Sequence, residues 1–201
     1  IFELYDAEEH DEWLTKCDLA IIFDVGDFKR VRGIKDAIDR NEIKTINIDH
    51  HPHSEDHPFT LNVVDTKSAA TGAMVFDYLK MVRKKPITKK MCDGLYTAIM
   101  TDTGSFRYSN TDTKCHEIAI ECLKAGVETS RIYQRVYETK PQGGVRLLAR
   151  VIDNITFDSG GELAWFSIDQ KMLDAADASS KDVDGFTDFV RSIKGVEVAV
   201  M

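Results

Sequence analysis

Leu19-Ala20-Ile21-Ile22-Phe23-Asp24 and Thr45-Ile46-Asn47-Ile48-Asp49-His50-His51 are the two stretches on which the fold turns. Each is a short apolar run of strand type that ends abruptly in polar, chemistry-bearing side chains. Between them, from about Lys29 to Arg40, the apolar residues recur at helical spacing. Strand, helix and strand in that order form a βαβ unit, and such units build a parallel sheet. An open parallel sheet gathers its ligands beyond the carboxyl ends of its strands. Asp24 and the Asp49-His50-His51 run are therefore expected on one edge of one sheet.

Burying a carboxylate and two imidazoles in a row is costly and serves no packing purpose. Asp and neutral His are, however, ordinary ligands for Mn, Fe, Zn and related ions. Asp102 follows the apolar run Tyr96-Thr97-Ala98-Ile99-Met100 and heads the segment Asp102-Thr103-Gly104-Ser105-Phe106-Arg107-Tyr108. A helix ending at Asp102 brings a third carboxylate to the same edge. Taken singly, Asp24 and Asp102 also read as helix caps or turn formers. Taken with His50, they read as a shared site.

Working outward, Phe59–Val64 reads as a further strand, Ser68 as the start of a helix through Lys84, and Thr88 as the cap of a helix through Ile99. Helices follow at about Thr113–Ala125, Ser130–Glu138 and Gln142–Asn154. Ile155–Phe157 and Glu162–Ile168 around Asp158-Ser159-Gly160-Gly161 read as a β-hairpin, followed by a helix over Gly185–Ile193 and a last strand. The fold class expected is α/β, a parallel-sheet domain over 1–140 and the start of a smaller α/β domain over 141–201, with the boundary near Lys140-Pro141.

The 201 residues carry a net charge of −8, which supplies no basic footprint for long duplex nucleic acid. Small phosphorylated substrates held through metal ions remain compatible with it. No run approaches the ~20 apolar residues of a membrane span, and no signal-peptide pattern opens the chain, so a cytoplasmic protein without membrane contact is expected. Cys17, Cys92, Cys115 and Cys122 show no CxxC spacing and are read as reduced core thiols. The chain begins at Ile1 and stops at Met201 inside an alternating apolar run, which suggests part of a longer protein.

Asp24 after its strand, Asp49-His50-His51, and Asp102-Thr103-Gly104-Ser105-Phe106-Arg107-Tyr108 together resemble the second, third and fourth motifs of the DHH phosphoesterase family. Ser68-Ala69-Ala70-Thr71-Gly72 also matches a family segment, residues 10–140 are similar to its catalytic domain, and the tail resembles the start of the associated DHHA1 domain. The Gly104–Ser109 segment looks most like the branch that degrades short oligoribonucleotides and removes the 3'-phosphate from 3'-phosphoadenosine 5'-phosphate. The resemblance implies hydrolysis by in-line attack, assisted by two Mn2+ ions roughly 3.5 to 4 Å apart. It implies that Asp24 bridges the ions, that His50 and Asp102 ligate, and that His51 faces the reacting phosphate. Asp49 is cast as the partner that fixes an imidazole tautomer, and Arg107 as a phosphate clamp or, equally, half of a surface ion pair. The resemblance further implies a first motif of His-x-x-Pro-Asp-x-Asp type before Ile1 and a Gly-Gly-Gly-His segment after Met201. On that reading the stretch holds part of a two-metal site, with weak metal occupancy and low activity expected of it alone.

The other candidates have plainer readings. His53 and His57 follow the Asp49-His50-His51 run closely enough to contribute to the site but are expected in water-exposed loops, His10 in a solvated acidic stretch, and Cys115-His116 on a packed helix. Ser68 and Thr71 touch substrate by family analogy only. Phe106 and Tyr108 either stack a base or pack on the core. Gly143-Gly144 lacks the lysine and spacing of a P-loop. Expected partners are short RNA oligonucleotides or small phosphorylated nucleotides, and a homodimer is compatible with the sequence. Dinucleotides, single-stranded DNA and pyrophosphate are alternative substrates, and a non-catalytic nucleotide-binding module is the reading outside catalysis.

Overall fold

The computed structural model describes residues 3–53 and 57–201. It divides into two compact units, Ile1–Ile132 and Tyr133–Met201. The division falls ahead of the boundary expected at Lys140-Pro141, inside a helix rather than at the proline.

The first unit opens with helix α1 (Ala7–Leu14), whose first turn is capped by the Asp6 carboxylate accepting from the Glu8 and Glu9 amides. Sequence reading does not anticipate this helix, because its short acidic run has little apolar periodicity. Strands β1 (Leu19–Phe23), β2 (Lys44–Asp49) and β3 (Leu61–Val64) pair in that order, all parallel, with Phe23 opposite Ile48 and Asp49 opposite Val64. The register ends the three strands together and so aligns their carboxyl termini. The connection from β1 to β2 is less regular than the single helix expected from Lys29. A 3₁₀ turn spans Phe28–Val31, Arg32 takes a left-handed φ of 57°, and helix α2 begins only at Gly33 and ends at Arg40.

One face of the sheet packs with Leu14, Phe28, Ala37, Ile38 and Phe59. Leu19, Ile21, Phe23, Leu61 and Val63 alternate to the other face and are exposed.

A second core of this unit is helical. Helices α3 (Thr71–Val82), α4 (Lys89–Asp102) and α5 (Thr113–Lys124) bury Ala73, Phe76, Leu95, Ile99 and Ile118 against one another. The thiols of Cys92, Cys115 and Cys122 are free and buried in this core, so Cys115 is a packing residue as expected. His116 stacks on Phe106 with ring centroids 5.2 Å apart. Helix α3 starts three residues later than the Ser68 start predicted, because the Ser68 hydroxyl turns into the preceding loop and donates to the Ala70 carbonyl. Helix α6 (Thr129–Tyr137) follows, and the division between the units falls within it.

The second unit has its own core. Helix α7 (Gln142–Asp153) leads into antiparallel strands β4 (Thr156–Asp158) and β5 (Leu163–Trp165), and β6 (Val198–Val200) joins β5 in parallel. Between β5 and β6 lie α8 (Gln170–Ala176), which periodicity does not reveal over so few residues, and α9 (Phe186–Arg191). Leu147, Val151, Ala164, Phe166, Phe186 and Val190 fill the space between helices and strands. Gly143 is buried in α7, where a Cβ would fall 2.0 Å from the Asp177 carbonyl oxygen. Its role is close helix packing, which agrees with rejecting a phosphate loop there. No helix among the described residues is long and apolar enough to cross a membrane.

Candidate metal centre

Asp24 is the first residue beyond β1. Its amide donates to the Ile48 carbonyl at 3.1 Å, which continues the sheet ladder for one residue, and its φ of 60° then turns the chain away. Asp is among the few residues with a side chain that tolerate this region. Its carboxylate accepts from the Thr71 hydroxyl at 2.8 Å, so the first residue of α3 holds the residue just beyond β1. The neighbouring Gly72 lets α3 pack closely on α4, because a Cβ there would sit 2.6 Å from the Ala98 Cβ.

His50 follows β2 directly. Its Nδ1 lies 3.2 Å from the Ser68 carbonyl oxygen, which can only accept, so Nδ1 carries the proton. Its Nε2 lies 3.5 Å from Asp24 Oδ1 and 3.6 Å from Asp102 Oδ2, and in the neutral ring that nitrogen is the one available to a metal. Asp102 sits on the last turn of α4, which runs three residues beyond the Ile99 end expected and delivers the carboxylate to the sheet edge. Burial, reinforced by the neighbouring Asp24 carboxylate, pushes the Asp102 pKa up against the opposing pull of His50 and His51. A site in which like charges raise a carboxylate pKa is one that a cation relieves.

Asp24, His50 and His51 each offer a ligand atom, all within 4.8 Å of one another. The His50 and His51 rings meet edge to face at 4.3 Å. His51 Nδ1 is 2.8 Å from Asp49 Oδ1 and 3.7 Å from Asp24 Oδ1. Asp49 itself is fully buried at the end of β2. Burial alone would raise its pKa, yet hydrogen bonds from the His51 amide, His53, the Gly26 amide and the His51 ring hold it well below the usual carboxylate range.

Two expectations need correction. His53 is not a loop histidine in water: its side chain is 5% exposed and its Nε2 lies 3.0 Å from Asp49 Oδ2. His57 turns inward as well, with a buried Nδ1 and its ring 5.9 Å from Phe59. Residues 54–56 between them lie outside the described residues.

The segment after Asp102 is tightly wound. Gly104, Ser105 and Phe106 all take positive φ, and the Thr103 carbonyl accepts from both the Arg107 and Tyr108 amides. Arg107 donates through Nε to the Gly104 carbonyl at 2.7 Å and lies over the Tyr108 ring at 5.9 Å. None of these contacts joins Arg107 to the group at Asp24. Phe106 packs on the helical core, whereas Tyr108 is exposed. Asn110, which sequence reading overlooks, bridges the Ala69 and Asp102 carbonyls at 3.2 and 3.0 Å.

Residues 2–99 match the model of the DHH family, N-terminal domain. The bifunctional oligoribonuclease and PAP phosphatase of Thermus thermophilus is 32% identical over 155 residues, which are 77% of this chain and 45% of that protein. The protein of the same description from Bacillus subtilis is 26% identical over 98% of this chain and 62% of its own length. The crystal structure of an exopolyphosphatase-related protein from Bacteroides fragilis superposes with a TM-score of 0.85 at 27% identity, covering 94% of this chain and 56% of that one. The chain thus spans about half the length of the relatives it matches.

Proposed function

We propose, from the premise that this chain belongs to the DHH family, that its Asp24–His50–His51–Asp102 cluster serves a metal-dependent phosphoesterase. The observation that carries the reading is the His50 tautomer. Its Nδ1 proton is committed to the Ser68 carbonyl, and its Nε2 faces two carboxylates that have no Lys or Arg partner among the described residues. Oxygen and imidazole donors together fit a hard to borderline divalent ion, and Mn2+ is the ion assigned here.

Asp24, His50 and Asp102 would hold the metal, with Asp24 as the bridging ligand. Bound there, two such ions supply charge against the phosphoryl oxygens and a nucleophile at neutral pH. His51, held by Asp49, would lie beside the reacting phosphate, either as a hydrogen-bond donor or as a group that orients the ligands. Asp49 takes no ligand role, and Arg107, whose Nε donates to the Gly104 carbonyl, is assigned as the phosphate clamp. The substrates proposed are short RNA oligonucleotides and 3'-phosphoadenosine 5'-phosphate, supported by the activities for which the Thermus and Bacillus relatives are named. Residues 141–201 are assigned as the beginning of a DHHA1 substrate-binding domain, and the protein as a cytoplasmic enzyme that does not engage long duplexes.

The test is a substrate panel with Mn2+: 3'-phosphoadenosine 5'-phosphate, RNA dimers to pentamers, cyclic dinucleotides, pyrophosphate, polyphosphate and single-stranded DNA. Turnover of the first two, lost in His50→Ala and Asp102→Ala, supports the assignment. Undiminished turnover in both variants dismisses the metal site, and activity confined to pyrophosphate or polyphosphate dismisses the nucleotide substrates.

A further inference from the structure

Among the described residues the Asp49 carboxylate has four donors, two on each oxygen. The His51 amide and the His51 Nδ1–H reach Oδ1 at 2.9 and 2.8 Å, and the Gly26 amide and His53 Nε2–H reach Oδ2 at 2.5 and 3.0 Å. An ionised carboxylate offers about four lone-pair sites, so Asp49 has none left for a cation. It acts as a clasp between the loop after β1, through Gly26, and the loop after β2.

Of the four donors, two are backbone amides and one belongs to His51 itself. His53 is the remaining one and the only separate side chain. Its ring is shielded from water and packs near Phe59, with centroids 6.0 Å apart. Because an ionised carboxylate only accepts, His53 must carry its proton on Nε2 and His51 must carry its own on Nδ1.

We infer that His53 is a positioning residue which, by holding Asp49 Oδ2, keeps Asp49 Oδ1 aimed at His51 and so fixes the orientation and Nδ1–H tautomer of the His51 ring beside Asp24. Without the His53 donor, Oδ2 retains only Gly26, and a fully buried carboxylate short of a partner rotates to recover one. The consequence passes to His51, whose ring loses its fixed acceptor. It also passes to Gly26, two residues from Asp24. This inference rests on the metal-centre reading for its functional meaning, but the hydrogen-bond chain itself does not.

The experiment compares His53→Gln, which keeps an N–H donor at similar reach, with His53→Leu, which fills the space without one. Long-range 1H–15N NMR of the imidazoles in metal-free protein reports the His51 tautomer, and Mn2+ titration reports affinity. Expected are an Nδ1–H tautomer in the wild type and His53→Gln, with affinities within about threefold, and in His53→Leu a mixed tautomer with affinity lower by about 10- to 100-fold. A His51 that keeps its tautomer and affinity in His53→Leu overturns the inference, as does a His53→Gln that fails as His53→Leu does. Should His53→Leu not fold, His53→Asn replaces it, being too short to reach Asp49; equal behaviour of Asn and Gln overturns the inference. A wild type with the Nδ1–H tautomer, lost in the leucine variant, but without Mn2+ uptake supports the inference while removing the metal-centre reading.

Discussion

The Thr71 hydroxyl donates to Asp24 Oδ1 at 2.8 Å, and this bond ties the first turn of α3 to the end of β1. Thr71→Val removes the donor at nearly constant volume and leaves the Asp24 carboxylate free to rotate. The expected outcome is a fall in Mn2+ affinity of about tenfold, the lower end for groups that orient ligands, with little loss in Thr71→Ser. Calorimetric titration of the two variants checks the order.

The same approach of α3 to α4 governs stability. Gly72→Ala places a methyl 2.6 Å from the Ala98 Cβ, so the helices must part. A loss of about 1 to 3 kcal/mol is expected from overpacking. Gly94→Ala on α4 is the control: a Cβ there meets nothing within 4 Å, and the gain in helix propensity should stabilise the protein by up to about 1 kcal/mol. Urea unfolding of both variants measures the difference in sign.

Asp102 gives a pH dependence of a defined sign. Its folded pKa is raised by burial and then by Asp24, so between the unfolded and folded values the native state binds more protons than the unfolded state. Its contribution therefore falls as pH rises from the ordinary carboxylate range through the raised folded pKa. Metal-free Asp102→Asn should melt higher than the wild type at neutral pH and lose the rise in melting temperature that Mn2+ confers. Thermal melts with and without Mn2+ across pH 4 to 8 test both halves.

Burial, and then the adjacent Cys92 thiol, push the Cys122 thiol up to about 12, and Cys92 and Cys115 are likewise raised by burial. A thiol attacks as the thiolate, so these three should resist a disulfide reagent in the native state. Cys17, which is only partly buried, should react first. Counting released thiolate before and after denaturant decides the matter; rapid native modification of Cys122 contradicts the packing described.

Much of this was legible in the sequence because it rests on local signals. The runs at Leu19–Phe23 and Thr45–Asp49 declared a parallel pair, and their polar ends placed Asp24 and His50 on one edge. The apolar run ahead of Asp102 points to a helix that brings it to that edge, although the helix is longer than its apolar pattern. What stayed hidden is what depends on contacts far apart in the chain. Nothing in the order of residues shows that the Ser68 carbonyl takes the His50 proton, or that Gly26 donates to Asp49. His53 was misread for the same reason, since a histidine beside a proline in a polar loop looks solvated until its carboxylate partner is known. The short helix α1 escapes because its acidic run carries little apolar periodicity.

The central claim is that Asp24 and His50 jointly hold a divalent cation, and Mn2+ binding followed by electron paramagnetic resonance tests it most directly. Mn2+ titrated into the protein should lose its free-ion signal as it binds, with the affinity lowered at least tenfold in Asp24→Asn and in His50→Ala, both folded by circular dichroism. Affinity unchanged by either substitution, or a free-ion signal undiminished in the wild type, would contradict it.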